Sequence, residues 1–83
     1  MQTNLFVRNI SYRANNEDLQ ALFEQVGEVT SAKIIFDKET RRSKGFGFVE
    51  MANSDDAEKA IQQLNGADLM GREISVQPAK PRE

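Results

Sequence analysis

No cysteine, histidine or tryptophan occurs among the 83 residues. Their absence removes disulfides, thiolate nucleophiles, cysteine–histidine zinc sites and imidazole acid–base chemistry together. Tyrosine occurs once and proline twice. No stretch nears the roughly 18 apolar residues of a membrane span, and the opening "MQTNLFVRNIS" lacks the basic segment and apolar run of a secretory leader. A GxxxxGK[ST] phosphate loop is missing, as are internal repeats and low-complexity tracts. The carboxylates are scattered in positions that suit solvated or capping roles. An enzyme is therefore not expected, nor is a metal, a cofactor or a membrane partner.

What is present fits one small domain. Hydrophobic residues make up 39% and charged residues 29% of the chain, an ordinary soluble balance. A chain this short buries only about 60–65% of its unfolded surface, so its core must be thin. The net charge of −2 argues against an indiscriminate polyanion binder.

Periodicity divides the chain into six elements. "NLFVRNIS" (4–11) alternates, with Leu5 and Val7 on one side and Phe6 and Arg8 on the other, as in a half-buried strand. In "NNEDLQALFEQVGEV" (15–29), Leu19, Leu22, Phe23 and Val26 recur at helical spacing. Asn15 or Asn16 is placed to cap that helix and Gly27 to end it in a left-handed conformation. "SAKIIFD" (31–37) reads as a second strand, "KETRRS" (38–43) as a charged loop and "KGFGFVEM" (44–51) as a third strand. "NSDDAEKAIQQLNG" (53–66) repeats the helical grammar, with Asn53 or Ser54 as cap, a stripe of Ala57, Ala60, Ile61 and Leu64, and Gly66 at the end. "ADLMG" is a connection, and "REISVQP" (72–78) a fourth strand whose ladder Pro78 ends.

The order β-α-β-β-α-β, with one apolar stripe per helix and one apolar face per strand, implies an α+β sandwich. Both helices lie on one face of a four-stranded antiparallel sheet, in the ferredoxin-like strand order 4-1-3-2. The covered face takes Leu5, Val7, Ala32, Ile34, Val49, Met51, Ile74 and Val76. Period two then forces Phe6, Phe46 and Phe48 onto the open face of the two central strands. Burying a phenyl ring is worth roughly 1.5–3 kcal/mol, so rings left on an uncovered sheet imply a contact surface. Flat rings beside Arg8 and Lys44 suit unpaired bases and their phosphates. Cross-strand Phe pairs can instead serve as sheet stabilisers, and a further segment or subunit can cover such a face.

Charge is unevenly placed. The strands, the loop between the second and third strands, and the C-terminus hold Arg8, Lys33, Lys38, Arg41, Arg42, Lys44, Arg72, Lys80 and Arg82 against five acids. The helices and their connectors hold eight acids against Arg13 and Lys59. An acidic back would help turn a polyanion toward the sheet, although a solvated helix face explains the same acids.

At "KGFGFVEM" the chain resembles the RNA recognition motif family, whose octamer signature it matches at every defined position except the last, where Met51 stands for an aromatic. "LFVRNI" (5–10) is similar to the family's companion hexamer; "LNG" (64–66) and "GREISV" (71–76) also fit. The likeness covers nearly the whole chain and extends to the small single-domain RNA-binding proteins of bacteria. It implies a domain over residues 3–80 with 81–83 as a tail. It further implies that Phe6 and Phe48 stack successive bases, Phe46 packs against the sugars between them and Lys44 pairs with a phosphate. Polar contacts would come from Arg8, Lys33, Glu50, Gln77 and Lys80. Arg41, where the family often has glycine, and Arg42 would add cations from the loop. The partner implied is single-stranded RNA, bound by a monomer in the cytoplasm, or in the nucleus of a eukaryote. Single-stranded DNA binding and a protein–protein module on the same fold are the alternatives.

Overall fold

Capping chemistry sets where the helices begin. In the computed structural model, which describes residues 3–79, Asn15 caps helix α1 (Asn16–Glu24). Its side chain accepts the Asp18 N–H at 2.8 Å, and the Asp18 carboxylate accepts the Asn15 N–H at 3.0 Å. This reciprocal box satisfies two amide groups that a helix start leaves without partners. Asn16 plays a different part. Its side-chain oxygen accepts the Ile34 N–H at 2.8 Å and ties the helix start to the sheet. Asn53 caps helix α2 (Ser54–Leu64) by accepting the Asp56 N–H at 2.8 Å.

The strands are β1 (Asn4–Arg8), β2 (Val29–Phe36), β3 (Ser43–Met51), β4 (Asp68–Leu69), β5 (Arg72–Glu73) and β6 (Ser75–Pro78). Four of them form an antiparallel sheet in the order β2-β3-β1-β6, while β4 and β5 form a separate hairpin. The four-stranded sheet has the expected ferredoxin-like arrangement. Leu5, Val7, Ile34, Val49, Met51, Ile74 and Val76 supply its core face. Leu19 and Phe23 from α1, and Ala57, Ala60 and Leu64 from α2, fill the same core. Leu22, Val26, Ala32 and Ile61 flank it, half-buried. One side of the sheet is thereby covered and the other is left to the partly exposed side chains.

Several boundaries differ from the sequence expectation. The first strand stops at Arg8 rather than running to residue 11, because Asn9 turns the chain with a φ of 59°. Buried Ile10 nevertheless holds one more bond to the sheet, its N–H donating to the Gly45 carbonyl at 2.8 Å. Helix α1 ends at Glu24, and Gly27 does not take the left-handed conformation. The Gln25 N–H donates to the Leu22 carbonyl at 3.3 Å, the Phe23 carbonyl accepts the Val26 and Gly27 N–H groups, and Val29 is already paired with Met51 at the head of β2. The helix must therefore release the chain early enough for it to reach the sheet. Gly66 does take a left-handed φ, 88°, after α2.

The expected fourth strand over 72–78 is two pieces. Arg72 and Glu73 pair back onto Leu69 and Asp68, Ile74 is buried, and only Ser75–Pro78 joins β1. The two residues between β4 and β5 both have positive φ, Met70 at 53° and Gly71 at 92°. This is the backbone twist that a two-residue hairpin favours. Pro78 does not quite end the ladder, since the Ala79 N–H donates to the Asn4 carbonyl at 2.9 Å.

Candidate nucleic-acid interface

Register places the expected side chains on the open face. On β1 and β3, Phe6 stands opposite Phe48 and Arg8 opposite Phe46. Across the neighbouring pairs, Lys33 of β2 faces Phe48, and Gln77 of β6 faces Phe6. Lys33, Phe48, Phe6 and Gln77 therefore form one row across all four strands, roughly 14 Å long at the usual strand spacing. Arg8 and Phe46 lie on one side of this row, and Glu50, opposite Asn4 and Ser31, on the other.

The rings form a cluster. The Phe6 and Phe48 centroids are 5.2 Å apart with planes inclined at 34°, and Phe46 meets Phe6 edge-on at 5.7 Å and 63°. Such pairs hold each other in fixed orientation. Phe6 and Phe46 are half-buried, whereas Phe48 keeps 43% of its surface exposed. A shallow depression bounded by Phe6, Phe48, Gln77, Pro78 and Ala79 lies over the β6 side of the row. Arg8, Lys33, Lys44, Glu50 and Gln77 are exposed. Met51 is buried on the helix side, so its departure from the octamer signature concerns core packing.

Gly47 is what lets β2 lie close beneath the rings. A Cβ built there would run into the Lys33 carbonyl oxygen and come within 2.9 Å of the Ile34 Cα. Both obstacles are backbone, so no side-chain rotation relieves them.

Arg41 and Arg42 stand apart from the ring row, in the β2–β3 turn. The Asp37 carboxylate accepts the Glu39 N–H at 2.8 Å and the Thr40 N–H at 3.3 Å, and the Asp37 carbonyl accepts the Arg41 N–H at 2.8 Å. The two amides, helped more weakly by Lys44, hold the Asp37 carboxyl below its ordinary pKa. Its contribution to the turn is thus present above the ordinary carboxylate range and lost as pH falls through the lower folded value. Arg41 has a φ of 61°, so it occupies the left-handed position that suits glycine. Lys80 lies outside the described residues.

Two aromatic residues that the sequence pattern left out of the site are exposed. Tyr12 keeps 65% of its surface and Phe36 44%. Alternation places Phe36 on the same side as Ile34, but a register shift between Ile34 and Phe36 carries it to the end of the sheet, opposite Ser43. Tyr12 lies in "SYRANN", which has no period to read. Pro78 and Ala79 were also missed; their proximity to the rings depends on β6 lying against β1.

A model of the RNA recognition motif matches residues 5–75, and the chain belongs to that family. It is 47% identical to the putative RNA-binding protein RbpD of Nostoc sp., over 95% of this chain and 84% of that protein. It is 44% identical to the chloroplastic 28 kDa ribonucleoprotein of Spinacia oleracea over 98% of this chain, but spans only 35% of that protein's length. Among solved structures, an Rna15 RRM with bound RNA (GU) superposes with a TM-score of 0.87 at 28% identity, covering 98% of this chain and 86% of the other.

Proposed function

We propose that the open face of the sheet binds single-stranded RNA through its phenylalanine rings. Phe48 and Phe6 stack successive bases, Phe46 lies against the intervening sugars and Lys44 meets a phosphate. Arg8, Lys33, Glu50 and Gln77 frame the rings and contact base edges or backbone, with Arg41 and Arg42 adding positive charge at the margins and Lys80 supplying a further cation to the RNA. The binding unit is the domain over residues 3–80, acting as a monomer without cofactor or catalytic step.

The observation that carries this reading is the ring row itself. Phe48 is 43% exposed in the centre of a sheet whose other face is fully used by helices. Base–aromatic stacking would recover apolar burial that the free domain forgoes. Stacking rings accept either sugar, and only contacts to the 2′-hydroxyl separate RNA from DNA. The preference for RNA therefore rests on family membership and on relatives that are RNA-binding proteins and ribonucleoproteins by name. Those relatives are cyanobacterial and chloroplastic, which favours the cytoplasm of such a cell, or an organelle, over a nucleus.

The test is truncation of the rings. Stacking contributes about 1–3 kcal/mol per base, so Phe48→Ala and Phe6→Ala should each weaken binding of a short single-stranded RNA by roughly 5- to 150-fold while the fold persists. Unchanged affinity in both variants, measured by fluorescence anisotropy, would remove the stacking model. Lys44→Ala should lower affinity less and flatten its salt dependence by about 0.7 in log–log slope.

A further inference from the structure

The β2–β3 turn, the end of β2 and the β1–α1 loop meet at one end of the sheet, where Tyr12, Phe36, Arg41, Arg42 and Ser43 line an open cleft. Its composition resembles that of the ring row, and RNA bound on the ring row alone would use neither of its two rings. We infer that this cleft is a second stacking site for one further unpaired base of the same RNA, with Arg41 and Arg42 on the adjoining phosphates. The inference rests on the proposal that the ring row binds RNA, and extends its track along β3.

Three features support it. The first is exposure: a 65% exposed tyrosine and a 44% exposed phenylalanine face one shared space. Two exposed rings around one space make a contiguous apolar surface of the kind that marks a contact site. The second is preorganisation. The Arg72 guanidinium carbon lies 5.7 Å from the Tyr12 ring centroid, and Arg72 is itself held by a 2.7 Å hydrogen bond from its guanidinium to the Asn9 side-chain oxygen. The Asn9 amide in turn donates to the Glu73 carbonyl at 2.7 Å. The Tyr12 ring is thus positioned by a chain of contacts from β5, so little freedom is lost when a base stacks on it.

The third feature is charge and continuity. Two exposed arginines stand in the lining, with no carboxylate among the described lining residues. Nearby Asp37 is engaged with backbone amides of the turn. Ser43 and Phe46 are three residues apart on β3, roughly 10 Å at strand rise. A strand of RNA leaving the rings can span that distance, with Lys44 between the two sites.

The sequence supplies its own probe. Tyr12 is the only tyrosine and there is no tryptophan, so tyrosine emission, excited at wavelengths longer than phenylalanine absorbs, reports on this cleft. Two RNA pools of randomised sequence are to be compared, about three and about eight nucleotides long, lengths that respectively cover the ring row alone and both sites. The longer pool should quench tyrosine emission at saturation, and Tyr12→Ala and Phe36→Ala should each weaken its binding about 5-fold or more. The shorter pool should bind both variants as it binds the wild type. Tyr12→Phe should retain wild-type affinity for the longer pool, and Arg41→Gly, which keeps the left-handed turn, should reduce its affinity and salt dependence. Unquenched emission at saturation, or equal loss for both lengths, overturns the second site. If Phe48→Ala still weakens both lengths, the ring-row reading survives that failure. If Phe48→Ala has no effect on either, the ring-row reading itself has failed. The quenching measurement uses the unmodified protein, so it decides the question even if a variant misfolds.

Discussion

Gly47 has no side chain to contribute, yet it governs whether the rings can sit where they do. Its missing Cβ makes room for the Lys33 carbonyl and the Ile34 backbone of the neighbouring strand. Gly47→Ala should therefore cost about 1–3 kcal/mol or more, the usual penalty for overpacking a site that cannot yield. It should also loosen the β2–β3 pairing on which Lys33 and Phe48 depend. Urea unfolding and amide exchange of β2 measure both, and wild-type stability in this variant would contradict the close approach. Phe6, Phe46 and Phe48 were legible as outward-facing because strict alternation in β1 and β3 leaves them no other side. Gly47 was not: its place in "KGFGF" is plain, but the backbone it must avoid belongs to another strand. Tyr12 escaped notice for a related reason. Its surroundings depend on where Arg72 and Gly45 lie, both far along the chain.

Helical periodicity and capping residues give the existence, face and start of both helices, and their ends less well. The stripe of α1 contains two grades of burial. Leu19 and Phe23 have no exposed surface, while Leu22 and Val26 lie at the border of the core. Leu19→Ala should cost about 2–5 kcal/mol, a large part of the stability of a domain this small, and Leu22→Ala distinctly less. Thermal or urea melts of the two variants check the order, and a reversed order would mean that the helix is rotated about its axis. Strand ends were harder still. Period two persists only while pairing is regular, and β2 breaks it between Ile34 and Phe36. The β4–β5 hairpin was invisible because two-residue strands have no period. Met70, an uncommon residue for a positive φ, hid the turn that Gly71 alone only hinted at.

The described residues form a slab of 36 × 31 × 18 Å, one broad side made by the helices and the other by the open face of the sheet. Its charges are parted accordingly, with acids concentrated on the helices and cations on the strands and the β2–β3 turn. No side chain in it has an ordinary pKa between about 5.5 and 7, since histidine and cysteine are absent. RNA affinity at constant ionic strength should consequently vary by less than about twofold across that range, while falling steeply with added salt. A titration step near the middle of that range in the binding curve would contradict this expectation. The amino-acid sequence by itself determined the order of elements, the faces of helices and strands, and the outward set of rings. These follow from local periodicity and capping, which act between residues a few positions apart. Tertiary structure alone decided the row that joins Lys33, Phe48, Phe6 and Gln77, the clearance beneath Gly47 and the cleft between Tyr12 and Phe36. Each depends on strand register and on contacts between residues distant along the chain, and no local pattern encodes such distances.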